Sequence, residues 1–102
     1  MKKIDKHLEI CTGMNDLYKK KNADYGDSVG KSFEDFGDMA IFIRMTDKWN
    51  RLYDMMKNQD KTLNFESMDD TIMDLANYAI IWMMERQLVK EEADSFETMV
   101  NN

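Results

Sequence analysis

Proline is absent from this chain of 102 residues, glycine occurs four times, and cysteine and histidine once each. Turn-rich β architectures draw on proline and glycine for their reversals, so this scarcity points to helices. One cysteine, Cys11, excludes an intrachain disulfide and fits a reducing compartment. It stands among apolar residues of the first expected helix and is expected to be a buried structural thiol. The lone His7 has no cysteine or histidine at metal-ligand spacing, and no nucleophile–histidine set can be assembled around it. Long apolar runs are missing too. The longest, AIIWMM (79–84), falls far short of the roughly 20 residues that span a bilayer. The start MKKIDKHLEI lacks the apolar stretch of a signal peptide. The expectation is a soluble, cytoplasmic protein with no membrane partner.

Positive charge is in deficit, with 14 lysines and arginines against 20 acids and a net charge of −6. That balance argues against general nucleic-acid binding, because neutralising a phosphate backbone needs a basic face. A local cationic pocket for one small phosphorylated ligand is compatible with it. Methionine, by contrast, is abundant: eleven residues suited to adaptable packing where helices meet. The length fits one domain over residues 1–102, with a core of about 4–90 and a tail of 91–102.

Periodicity predicts an all-α three- to four-helix bundle. The first helix is expected from about Ile4 to Lys20, with Ile4, Leu8, Cys11, Leu17 and Tyr18 on one side. A polar loop, KNADYGDSVGKS (21–32), follows. Ser32 is expected to cap a second helix, with Asp35 as its capping-box acid, running to about Lys57 with a kink at Gly37. After the loop NQDKTLN (58–64), a third helix spans about Glu66 to Val89, and the tail adds a last turn or frays. Residues 80–84 make that third helix apolar all round, which calls for burial on every side. Three helices of this length do not surround it in a monomer. A homo-oligomer is therefore expected, with methionines and Trp82 at the subunit interface.

The second helix carries Ile41, Met45, Trp49, Leu52 and Met56 within about one third of its circumference at roughly 100° per residue. Lys48 sits at the margin of this cluster, with Arg44 and Arg51 just beyond it. Cations at the border of a core are costly unless paired. On the third helix Glu66, Asp70 and Asp74 recur every four residues, and Asn77 continues the line. If the two lines face one another they form an interhelical ion-pair network, or they share a pocket with a ligand. In such a pocket the cations would hold phosphates, arginine two oxygens at once. The carboxylates would hold Mg²⁺ or accept hydrogen bonds from a base or ribose. The loop residues Lys20, Lys21, Asn22, Asp24, Tyr25, Gly26 and Ser28 add cations, an aromatic plane and backbone freedom, although a solvated turn explains the same composition.

Three segments together, KNADYG (21–26), RMTDKWNRL (44–52) and ESMDDTIMDLANYA (66–79), resemble the signature of the nucleotide modification associated domain 1 family. The resemblance covers about residues 10–83. It implies a small all-α protein, frequent in phages and prophages and associated with nucleotide modification. Its pattern falls on Asn22, Asp24, Tyr25, Gly26, Arg44, Lys48, Arg51, Glu66, Asp70, Asp74, Asn77 and Tyr78. A more distant likeness is to the all-α nucleoside triphosphate pyrophosphatases of the MazG and dimeric dUTPase type. Glu66-x-x-Asp69 matches the second of their acidic motifs, while the first is missing. Metal-assisted phosphoryl chemistry needs several carboxylates converging on the metal.

Three functions follow as expectations. The first is a phage-type oligomer that captures a nucleotide or cyclic nucleotide with Lys21, Asn22, Asp24, Tyr25, Gly26, Arg44, Lys48, Arg51, Asp70, Asp74, Asn77 and Tyr78, sequestering a defence signal or modified nucleotide. The second is a Mg²⁺-dependent nucleotide pyrophosphohydrolase with Glu66, Asp70 and Asp74 as metal ligands and Glu34 or Asp38 supplying the missing acids. The third is a structural module whose charges are salt bridges.

Overall fold

The computed structural model describes residues 1–58 and 65–101, without the side chains of residues 25 and 65–67. All regular structure in these residues is helical: α1 (Lys3–Tyr25), α2 (Ser28–Phe36), α3 (Asp38–Asn58) and α4 (Phe65–Asn101). The all-α expectation holds. Of the expected 58–64 loop, residues 59–64 lie outside the described residues.

The expected polar loop over 21–32 is almost entirely helix. KNADY contains no helix breaker, so α1 continues five residues beyond Lys20 and stops only at Gly26. Gly26 has φ 70°, a left-handed value that favours glycine, and its N–H donates to the Asn22 carbonyl at 2.9 Å. Asp27, not Ser32, caps α2, because its Oδ1 accepts from the Gly30 N–H at 3.2 Å. A side chain at Gly30 would collide with that carboxylate, so cap and glycine form one unit. Ser32 lies inside α2 with its hydroxyl donating to the Ser28 carbonyl. Gly37, also at φ 70°, divides the expected second helix into α2 and α3 instead of bending it. The tail extends α4 to Asn101.

The core is small and lies where α3 packs on α4. Ile41 is wholly buried, Ile81 and Met14 nearly so, and Thr71 and Asn77 are buried polar groups. No buried side-chain polar atom among the described residues lacks a hydrogen-bond partner. Trp82, expected at a subunit interface, is engaged within the chain. Its Nε1 donates to Asp38 Oδ1 at 2.7 Å, and its ring meets Phe42 edge-on at 6.4 Å between centroids. Burial within the chain departs from the helical-wheel reading at two further places. Trp49 and Met56 are exposed, because α4 covers only the Ile41 side of α3. Cys11 is exposed as well, since the first half of α1 has no covering element, and Ile4 and Leu8 share its fate. Its sulfur lies 3.8 Å from His7 Nδ1, one turn away.

Candidate functional site

The last turns of α1, the α1–α2 joint and the facing sides of α3 and α4 enclose a cavity of about 290 Å³. That is near the lower edge of the roughly 300–1,000 Å³ common for small-molecule sites. α1 contributes Tyr18, Lys21 and Asn22, spaced three and four apart on one helical face. Arg44 and Lys48 come from α3 at i and i+4, and Asp74, Asn77, Tyr78 and Ile81 from successive turns of α4. Gly26, Asp27, Ser28 and Val29 close the end at the joint.

The cationic and acidic lines of α3 and α4 face each other at Asp74. Lys48 Nζ lies 3.1 Å from its Oδ2, and Lys21 Nζ lies 3.3 Å from its Oδ1. Burial alone would raise the Asp74 carboxyl. The hydrogen bond from Lys48 and the charges of Lys21 and Lys48 outweigh it and hold the carboxyl below its ordinary range. Two ammonium groups on one carboxylate leave a surplus positive charge. Arg44 adds another, since its Nη2 donates to the neutral Ser32 hydroxyl at 3.1 Å. Three cations, Lys21, Arg44 and Lys48, thus face two carboxylates, Asp27 and Asp74, in the lining, an excess of one positive charge in an acidic chain.

Negative charge lies close by as well, at Asp27 in the lining and at Glu85 beside it. Tyr18 is raised above its ordinary value by burial first, then by the charges of Asp27 and Glu85. Glu85 is raised by burial, then by Asp27, Glu34 and Glu92. A carboxylate whose folded pKa is raised costs stability when ionised. Glu85→Gln is therefore expected to raise the melting temperature at pH 7. The gain should vanish below the ordinary glutamate value of 4.5, where both states of the wild type are protonated. Thermal denaturation at several pH values checks this.

Of the residues picked from sequence, Lys21, Asn22, Gly26, Arg44, Lys48, Asp74, Asn77 and Tyr78 meet in the cavity. Asp24, Arg51 and Asp70 are exposed and do not line it, while the side chains of Tyr25 and Glu66 lie outside the described residues. The expected Mg²⁺ set of Glu66, Asp70 and Asp74 includes one side chain, Glu66, outside the described residues. Among the described residues no three histidine, cysteine, aspartate or glutamate side chains come together, and the Asp74 carboxylate is already shared by two lysines. Tyr18, Asp27, Val29 and Ile81 were not anticipated. The spacing of Tyr18, Lys21 and Asn22 carries the signal once α1 is known to continue, and Asp27-x-x-Gly30 is a readable helix start.

The fold and cavity define a small helical protein with a charged pocket between its helices. Residues 21–88 match the family model for nucleotide modification associated domain 1, and the chain belongs to that family. No curated protein and no solved structure matches it. No helix among the described residues is long and apolar enough to cross a membrane.

Proposed function

We propose that this protein binds a small phosphate-bearing nucleotide, linear or cyclic, in the α1–α3–α4 cavity. The phosphate sits at Lys21, Arg44 and Lys48. The sugar or base extends along Asn22, Asn77 and Tyr78 toward Tyr18 and Asp27, whose wall suits hydroxyl or amino donors. One observation carries the reading: positive charge in excess of its carboxylate partner, gathered in a cavity of a chain with net charge −6. In a phage setting, inside the host cytoplasm, such a protein would sequester a defence signal or a modified nucleotide.

The protein works as a homo-oligomer in this proposal. A compact monomer of 12.1 kDa exposes about 6,000 Å², whereas this chain exposes 8475 Å². Its radius of gyration is 17.2 Å against about 13 Å for a compact domain of this length. Residues 86–101 of α4 are exposed throughout, and isolated helices of such length are marginal in water.

A panel of nucleotides and cyclic nucleotides with Mg²⁺, followed by chromatography and thermal shift, tests the reading. The expected result is a raised melting temperature with the ligand recovered intact. Cleaved product would instead mark a pyrophosphohydrolase. The 3.1 Å Lys48–Asp74 contact favours one rival, a purely structural ion pair. That rival wins if nothing in the panel shifts the melting temperature and Lys48→Ala only destabilises.

A further inference from the structure

α3 bears a second stripe that the cavity does not use. Met39, Phe42, Thr46, Trp49, Tyr53 and Met56 follow one another at intervals of three, four, three, four and three residues. That is the a/d pattern of a coiled-coil seam sustained over two and a half heptads. All six are exposed, and the five large ones range from 52% for Phe42 to 66% for Met56. The polar member does not spoil the seam, because the Thr46 hydroxyl already donates to the Phe42 carbonyl at 2.9 Å. The Tyr53 ring carries Lys57 Nζ 5.9 Å from its centroid, which closes the stripe with a charge near its C-terminal end. Charged residues are missing from all six positions, although a third of the chain is charged. A helix face meant for water would not be so composed over 18 residues.

We infer that this seam is where a second copy of the chain docks, α3 against α3 across a two-fold axis. Heptad spacing selects a helix as the occupant, since only a helix presents knobs at that interval. The same stripe on a second copy supplies them, and a two-fold pair brings identical patches together. Each chain exposes about 2,400 Å² more than a compact monomer of its mass; the seam shares that excess with the first half of α1 and residues 86–101 of α4, and an interface of standard size takes only about 800 Å² of it per partner. The inference rests on the homo-oligomer reading above and is independent of the nucleotide.

Light scattering and sedimentation of the full chain without ligand, combined with hydroxyl-radical footprinting, test it. The wild type is expected at twice the chain mass or a multiple of it. Trp49, Tyr53 and Met56 should be oxidised several-fold more slowly than Met1, which is 87% exposed in the chain. Trp49→Glu combined with Met56→Glu should halve the mass while keeping the helical circular dichroism. A wild type that is monomeric at all concentrations overturns both the seam and the oligomer reading. An oligomer that survives the double variant, or seam residues oxidised as fast as Met1, overturns the seam alone and points to the open groove of Ile10, Met14, Ile72 and Met73 between α1 and α4. The footprinting arm needs no variant, so the seam stands or falls on it even if the double variant fails to fold. Neither arm depends on whether a nucleotide binds.

Discussion

Lys48→Ala is expected to weaken binding of a phosphate-bearing nucleotide by about 10- to 100-fold, the range for losing a charge-assisted hydrogen bond of roughly 1.5–3 kcal/mol. The unliganded protein should lose little stability, because Lys21 remains 3.3 Å from Asp74 and both side chains are partly solvated. Isothermal titration beside thermal denaturation separates the two effects. A structural ion pair predicts the reverse, a lower melting temperature with nothing to titrate. Asp74→Asn gives the complementary result. The Asp74 carboxyl is held below its ordinary value, so its stabilisation is full above 3.8 and is lost as pH falls through the lower folded value. The variant should therefore be less stable than wild type at neutral pH and should converge with it in strong acid. Inorganic pyrophosphate should bind Asp74→Asn at least as well as wild type, since the resident carboxylate no longer competes for the lysines.

Ile41→Ala is expected to be the most damaging single truncation, costing about 2–5 kcal/mol. No other large side chain among the described residues is completely shut off from water, and the core around it is thin. At about 4–8 °C per kcal/mol for a domain of this size, the melting temperature should fall by tens of degrees at the upper end. Protein concentration must be held constant in the comparison, because an assembling chain has a concentration-dependent melting temperature. A loss below about 1 kcal/mol would mean that the contact between α3 and α4 adds little to stability.

The facing of α3 and α4 was legible because charge period and apolar period coincide. Arg44 and Lys48 recur on the same turns as Ile41 and Met45, and Asp74 lies one turn from Asn77. Where the cations end was less legible, since Arg51 continues the same spacing yet falls outside the cavity. The course of residues 21–32 was hidden by composition, because Gly26 and Gly30 suggest a loop while only Gly26 ends a helix. Gly30 continues α2 and makes room for the Asp27 cap. The fate of Trp49 and Met56 could not be read from a helical wheel. Ile41, Met45 and Leu52 fill one side of α3, while the 39–56 stripe lies beside it, and together they form an apolar arc wider than a single neighbour covers. Period identifies such an arc, but the number of available neighbours decides how much of it is buried.

Trp82 and Trp49 differ in a way that has an optical consequence. The indole N–H of Trp82 is bound to Asp38 and its ring rests against Phe42, whereas Trp49 is 63% exposed within the chain. These are the only two tryptophans. One therefore reports the docking of α3 on α4, and the other reports the polarity of whatever lies over α3. Their emission can be separated by collisional quenching without attaching a label, so folding and encounter are observable as different colours of the same unmodified molecule.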